Sequence, residues 1–574
     1  MSGLRESVES AAGTDGEPRA GLRDVPGLIL AVAALGFGVF LYIARLGAVP
    51  IQTGNEAMYA APPIYMLESG DYLVPRFRDA DFLDKPPLTF WLIAAGYRLF
   101  GISVTTARLP AALAALATAL AVGVWSGRRR GLRAGLLSAM VLLFTYAFWT
   151  FTRYFAADAF LALTLTLAVI SLDAAGRAEE GSDSLWGILC GAALAMAFMA
   201  KGLIGIALPV GAVAAGFALD RFRPVRVMRR GFVAGFVLLL LIAPWHIGMA
   251  RRLGEEFWRT FYWENQFLRG ATTRFMRSSR GLFAYLPVIA VAAFPWSFLL
   301  PGSLRRQKFS SAPLGWFLFG LIFWSLMGMK RDVYMMTIFP AIAVLVGERL
   351  DREASGELPR GRVAWILAAS VFALALPLLA KFSGLLSTLV GRGAVIFLGA
   401  AIALVVAAAL VAAGSPRRLV AGAGVAIACG VCFLALMQID RRLAAFDPMP
   451  AWGERVRREC PLDDCDCFLV TVNTISVEFY SQRAWRSVLH PFKLIGRTRH
   501  RTGFLVMRTA EEPSLNELPM RYEVLERRPW IAGDWVTVAR RERSPVESLS
   551  LVRIESPEGT PPAPAGQAPD GATP

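Results

Sequence analysis

The sequence predicts an α-helical polytopic membrane protein of about thirteen spans with a small α/β domain outside the membrane. Three observations lead there. Of 574 residues, 55% are hydrophobic, and the mean hydropathy is +0.48. Apolar runs of roughly 20 residues recur along most of the chain, the length a ~30 Å hydrocarbon core requires. After about residue 440 the chain turns polar and basic, with short β-rich runs.

The spans are placed near 25–48, 104–126, 132–151, 156–175, 184–200, 203–220, 231–249, 282–301, 312–328, 333–348, 363–380, 392–413 and 418–437, with breaks at Lys201-Gly202 and Lys330-Arg331. Residues 1–24 are polar and read as a disordered cytoplasmic N-terminus, and 556–574, rich in Pro, Ala and Gly, as a disordered tail. Between them lie a transmembrane domain over 25–438 and an external domain over 440–545. The first apolar run is long enough to remain as a helix, so no cleavable signal is expected.

Loop charges set the orientation. Arg128-Arg129-Arg130 with Arg133, the arginines of 221–230, Arg305-Arg306 with Lys308, the 348–362 loop and Arg417-Arg418 fall on one side. The positive-inside rule makes that side cytoplasmic, which places loops 50–103 and 250–281 and the C-terminal domain outside. The net charge of +16 follows from this bias and from affinity for anionic membrane lipids. The basic residues are dispersed and accompany no nucleic-acid module, so no nucleic-acid partner is expected.

With the sides assigned, Glu56, Asp84, Lys85, Asp158, Lys201, Glu264 and Lys330 all reach the external face from loops far apart in sequence. Charged groups are costly at a membrane, and their gathering on one face marks a functional site. Loop 250–281 carries Arg251, Arg252, Arg259, Arg269, Arg274, Arg277 and Arg280 against the positive-inside bias. A guanidinium fork matches phosphate oxygens, so a phosphate-bearing ligand is a natural partner. Phe257, Trp258, Phe261, Tyr262, Trp263 and Phe267 interleave with them, as in a helix lying in the interface.

In the first external loop, 56–68 predicts a short helix ended by Ser69-Gly70-Asp71. Pro75 and Pro86-Pro87 then break the chain before an amphipathic stretch over 88–100. Of six cysteines, Cys190, Cys429 and Cys432 fall in apolar helices and read as packing. Cys460, Cys465 and Cys467 lie in the external domain, where a disulfide is permitted, with its pairing open. The runs 467–472, 503–508, 522–526 and 535–539 predict strands and 475–481 a helix. His490 and His500 sit among basic residues and read as surface groups.

Asn55-Glu56-Ala57-Met58-Tyr59-Ala60, Leu67 through Pro75, and Phe82-Leu83-Asp84-Lys85-Pro86-Pro87 resemble the first periplasmic loop of aminoarabinose transferases, which group with protein mannosyltransferases among GT-C membrane glycosyltransferases. Further matches follow in order: Arg153 to Asp158, Met199 to Gly202, Pro244-Trp245, Phe257-Trp258 through Asn265, Phe294-Pro295-Trp296, and Lys330 with Tyr334 and Pro340. The resemblance covers about 25–350. It implies a GT-C fold in a bacterial inner membrane and transfer of a sugar from a polyprenyl-phosphate donor at the periplasmic face. The acceptor it implies is a lipid A-like glycolipid or, as a close alternative, a protein. A monomer is expected.

On that resemblance the lipid phosphate needs cations for its charge, from Lys85 with Arg269, Lys201 or Lys330, and Tyr59 and Tyr334 join the donor-phosphate set. Glu56, Asp84 and Asp158 are the carboxylates available to orient the acceptor or take its proton. Family members usually carry Asp where this chain has Asn55. An amide does not titrate, so either Glu56 or Asp158 serves as base in its place, or the Asn55 amide only positions substrate. The family often has His at Asn265, beside Glu264. Asn265 with Asp84 and Glu264 leaves a weak site for a divalent cation, the one cofactor considered. A transporter of polyprenyl-linked sugars is the reading from another class. It would place polar groups near the membrane midplane and show repeated halves, whereas here helix centres are apolar and no repeat is evident.

Overall fold

The computed structural model describes residues 25–555 except 52–54, 78–79, 155, 178–182, 221–224, 269–279, 305–310, 360–361, 363, 372, 374, 378, 380–390, 416, 445–446, 461–464, 471–475, 483–484, 489–493, 495–501, 519 and 532–545. The expected terminal disorder at 1–24 and 556–574, the run 535–539, His490 and His500 therefore lie outside the described residues. Among those described, six helices are long and apolar enough to cross a membrane: Val25–Ile43, Val104–Arg130, Ala157–Ala175, Arg230–Leu253, Arg392–Gly414 and Arg418–Arg442. A further span bends by 56° between Leu132–Leu143 and Tyr146–Tyr154. Leu185–Lys201, Ile204–Leu219, Ser311–Leu326 and Ala364–Pro377 are shorter apolar helices at other expected spans. The chain is a multi-pass membrane protein.

Two more expected spans are not continuous helices. The run 282–301 is Tyr285–Ala292, a 3-10 turn at Trp296–Phe298, and Leu300–Ser303. The run 333–348 opens as a 3-10 turn, Asp332–Thr337, and becomes α-helical at Phe339–Ala354. Pro295, Pro301 and Pro340 cause this. Proline lacks the N–H an interior turn needs, so each stands at a break or in a first turn.

Small residues let the helices close up. A Cβ on Gly135 would meet the Gly123 carbonyl, and one on Gly315 would meet the Gly216 backbone, so these helix pairs touch through their main chains. At the end marked cytoplasmic by its charges, arginines and carboxylates interlock. Arg129 bonds Glu348 at 3.1 Å and lies 3.4 Å from Asp173. Arg130 and Arg133 share Asp351 at 3.2 and 2.7 Å, and Arg418 meets Glu353 at 3.1 Å. Arg108 lies near the opposite end of the same Val104–Arg130 helix, about 30 Å away at ~1.5 Å per residue.

The outer domain begins with the helix Met449–Glu459. Its five-stranded sheet runs in the order Arg486–Val488, Cys465–Val470, Thr502–Arg508, Val546–Glu555, Arg521–Ile531. The first three strands are parallel and the last two pairings antiparallel. The strand at 546–555 lies beyond the expected boundary at 545 and is buried on both faces, with Leu549 and Leu551 on one side and Val552 and Ile554 on the other. Cys460 and Cys465 form a disulfide. Cys190, Cys429 and Cys432 are buried in apolar helices, and Cys467 is buried in the outer domain.

Asp447 stands where the chain passes from the last span into this domain. Burial pushes its carboxyl up to about 6, against the pull of the Met449 N–H donated to it at 3.0 Å. A raised carboxyl binds its proton more tightly in the folded state. Its contribution is fully present below the unfolded value of 3.8 and is lost as pH rises toward 6. Glu512 has the opposite slope, because Arg527 holds it below the usual carboxylate range. Asp447→Asn is therefore expected to remove a loss of outer-domain stability between about pH 4 and 6. Limited proteolysis of the full chain across that range reads it, and identical pH profiles for the two proteins would contradict it.

Candidate functional site

The first long loop is three helices and a hairpin. Asn55–Ala60 stops where Pro62 opens Pro62–Ser69, and Gly70, at φ 70°, closes that second helix. This splits the single helix expected over 56–68 and keeps its stop. A short hairpin pairs Arg76–Phe77 with Ala80–Asp81. Leu88–Phe100 then follows Pro86-Pro87 as predicted.

Arg108, which the sequence reading passed over, holds this loop to the membrane core. Its Nε and Nη2 donate to the two Glu56 oxygens at 2.5 and 3.0 Å. The same guanidinium donates to the carbonyls of Leu46, Val49 and Pro50 at 2.6 to 2.9 Å. Arg108 is 3% exposed and Glu56 8%, so the pair is shielded from water. Arg153 repeats the device, donating to the Leu41 and Arg45 carbonyls at 3.2 and 3.1 Å. A narrow cavity opens beside them, lined by Glu56, Tyr59, Arg108, Thr152, Arg153 and Tyr154. Glu56 is thus engaged through both oxygens by a fixed cation. Asn55 opens the same helix, and its side chain is not among those described.

Asp158 and Lys201 meet as a buried ion pair. Asp158 stands in the first turn of Ala156–Arg177 and Lys201 in the last turn of Asp183–Lys201. The Lys201 ammonium also lies 4.8 Å from the centre of the Tyr334 ring, a cation–π placement, and Trp324 stacks on that ring at 4.3 Å. Gly202 then turns the chain at φ +74°, and a Cβ there would strike Gln266. Gln266 accepts the Leu203 N–H at 3.1 Å, which ties this turn to the external segment Phe257–Leu268. That segment is a π-helix exposing Trp258, Trp263 and Phe267, as an interfacial helix would.

Lys85 pairs with the Asp84 carboxylate at 2.9 Å and donates to the Asp84 carbonyl at 3.0 Å. Close by in the loop, Phe90 stacks with Tyr59 and meets Phe82 edge-on, with centroids at 5.6 and 5.8 Å. Lys330 donates to the Met327 carbonyl at 2.8 Å, and the Tyr334 hydroxyl to the Met329 sulfur at 3.0 Å. Ala156–Arg177 packs against both Asn55–Ala60 and Leu88–Phe100. The fold therefore brings the Glu56 loop and the Asp158–Lys201 pair into one assembly. Arg269 lies outside the described residues.

The residues considered for a cation have other partners. Asp84 is on Lys85, Glu264 is 3.8 Å from Arg259, and the Asn265 amide donates to the Thr260 carbonyl at 2.9 Å. Among the described residues no group of three or more His, Cys, Asp or Glu side chains is placed to hold a metal. His246 was also missed. It hydrogen-bonds the Tyr262 hydroxyl at 2.5 Å and follows the Pro244-Trp245 pair that signalled the region.

The fold matches that of ArnT from Cupriavidus metallidurans, solved bound to undecaprenyl phosphate. The TM-score is 0.74 at 20% identity, covering 92% of this chain and 98% of that one. In sequence, the family model of dolichyl-phosphate-mannose-protein mannosyltransferases matches residues 84–247, which include Asp84, Lys85, Arg108, Asp158 and Lys201. An undecaprenyl phosphate-alpha-4-amino-4-deoxy-L-arabinose arabinosyl transferase of Pseudomonas fluorescens is 30% identical over 56% of this chain and 56% of its own length. One of the same description from Aeromonas hydrophila is 29% identical over 54% of this chain and 58% of its own. The chain spans little more than half the length of these relatives. Its helical core, loop helices and outer sheet give a membrane protein of the GT-C fold. In sequence it is similar to aminoarabinose transferases over a little more than half of its length.

Proposed function

We propose that the protein is a membrane glycosyltransferase that moves a sugar from a polyprenyl-phosphate donor to a lipid A-like glycolipid, at the periplasmic face of a bacterial inner membrane. The observation that carries this reading is the buried Asp158–Lys201 pair, whose Asp158 helix packs against Asn55–Ala60 and Leu88–Phe100 of the Lys85 loop. The acceptor hydroxyl attacks the anomeric carbon as the bond from that carbon to the phosphate oxygen breaks. The electron pair leaves with the lipid phosphate, and the acceptor's proton passes to Asp158. Lys85 and Lys201 offset the charge developing on the leaving phosphate, with Lys330 at the rim. Glu56, held by Arg108, positions the loop. A protein acceptor is the second reading, favoured by the description of the family model that matches 84–247.

Lys85→Ala is expected to weaken binding of undecaprenyl phosphate at least about tenfold, the scale of one lost charge-assisted contact. Titration of that lipid into protein in nanodiscs measures it, and unchanged affinity would remove Lys85 from the phosphate site. The activity is tested with undecaprenyl-phosphate aminoarabinose and purified lipid A. Movement of the donor across a bilayer with no sugar transferred would replace the transferase by a transporter.

A further inference from the structure

We infer that the outer domain is a positioning part of the transfer site, acting through Phe479 and Tyr480 on the loop segment that ends in the helix Asn55–Ala60. The Tyr480 hydroxyl accepts the Ile51 N–H at 2.8 Å across 429 residues of sequence. Phe479 is 3% exposed and packs into the cluster formed by Ile51, Ala57, Ala60, Ile64 and Tyr97. Tyr97 completes the contact by donating its hydroxyl to the Ala60 carbonyl at 3.0 Å. The stretches 46–51 and 55–60 are therefore gripped from two sides. Arg108 takes the Leu46, Val49 and Pro50 carbonyls and Glu56 from the membrane core, and Tyr480 takes Ile51 from outside.

The grip on the outer side is stiff. Phe479 and Tyr480 belong to the short helix Ser476–Ser481, which packs on both Asn55–Ala60 and Met449–Glu459. A Cβ on Gly453 would meet the Tyr480 side chain and the Ser481 backbone, so no slack separates the two outer helices. Trp485, fully buried, donates its indole N–H to the Ser481 hydroxyl at 2.8 Å. The short helix thus moves only with the domain core. A displacement of the domain is passed directly to the loop carrying Glu56, and reacting groups misplaced by about 1 Å lose up to about a hundredfold in rate. The contacts carry the mechanical link, and the transferase reading above supplies what is positioned.

The full-length protein in nanodiscs tests this with Tyr480→Phe, which removes only the hydroxyl, and Tyr480→Ala. Hydrogen exchange is followed in peptides over 46–60, with 502–508 as the internal control, beside initial rates with undecaprenyl-phosphate aminoarabinose and lipid A. Tyr480→Phe is expected to speed exchange at Ile51 about fivefold, the scale of one hydrogen bond. It is expected to lower kcat several-fold with KM for the donor unchanged and the 502–508 strand still protected. Tyr480→Ala should exceed it in both. Unchanged exchange over 46–60 in both variants would overturn the inference, and so would full kcat in Tyr480→Phe once protection there is lost. If the wild-type protein transfers no sugar, the transferase reading fails, while the exchange comparison still decides the link.

Discussion

Asp158→Asn is expected to lower kcat by about 10²- to 10⁴-fold, the range of a lost proton acceptor, with undecaprenyl phosphate still bound. Asparagine keeps the shape and a hydrogen-bond acceptor for Lys201 but takes no proton at working pH. The exchange also strips a buried ammonium of its counter-charge, which is destabilising by itself. The thermal midpoint of the variant must therefore be measured beside its rate. Lys201→Met with Asp158→Asn removes the stranded charge and separates the two effects: the double variant regains stability and stays inactive. Wild-type turnover in a folded Asp158→Asn protein would reduce Asp158 to a structural counter-ion.

Arg108→Met should cost about 3–5 kcal/mol of stability, because it leaves the Glu56 carboxylate buried without its partner. Replacing both, Glu56→Met with Arg108→Met, is expected to restore most of that loss. The three carbonyls of Leu46, Val49 and Pro50 that lose their donor keep the recovery incomplete. Denaturant unfolding in detergent micelles gives the four corners of the cycle. Additive losses would show that the two side chains are not coupled. The result also bears on the chemistry, since a Glu56 that acts mainly through Arg108 is a positioning group.

The sequence reading was strongest where charge meets an apolar background. Asp84, Lys85, Asp158 and Lys201 stand out because ionised groups beside membrane spans need a reason, and two ion pairs account for them. Arg108 escaped because a single arginine one turn inside a long apolar helix looks like any snorkelling side chain. Its outward-facing position, against the positive-inside bias, was the available signal. Tyr480 left no local trace, since its partner Ile51 is 429 residues away. The spans were legible from length and hydropathy, but the prolines at 295, 301 and 340 needed more weight, because they break two of them. The strand Val546–Glu555 was lost between the domain and the tail although its Leu549, Leu551, Val552 and Ile554 fill both faces of the sheet.

The interlocked arginines and carboxylates at the arginine-rich end of the helices have a consequence for biogenesis. Arg129, Arg130 and Arg133 orient the nascent helices while Glu348 and Asp351 are still unmade. Glu348 and Asp351 emerge more than two hundred residues later and neutralise charges that have by then done their orienting. The topogenic signal becomes an internal clasp that closes last, so early helices stay oriented but loosely joined until the Phe339–Ala354 helix arrives. A truncation before that helix should leave the first spans correctly inserted and readily degraded.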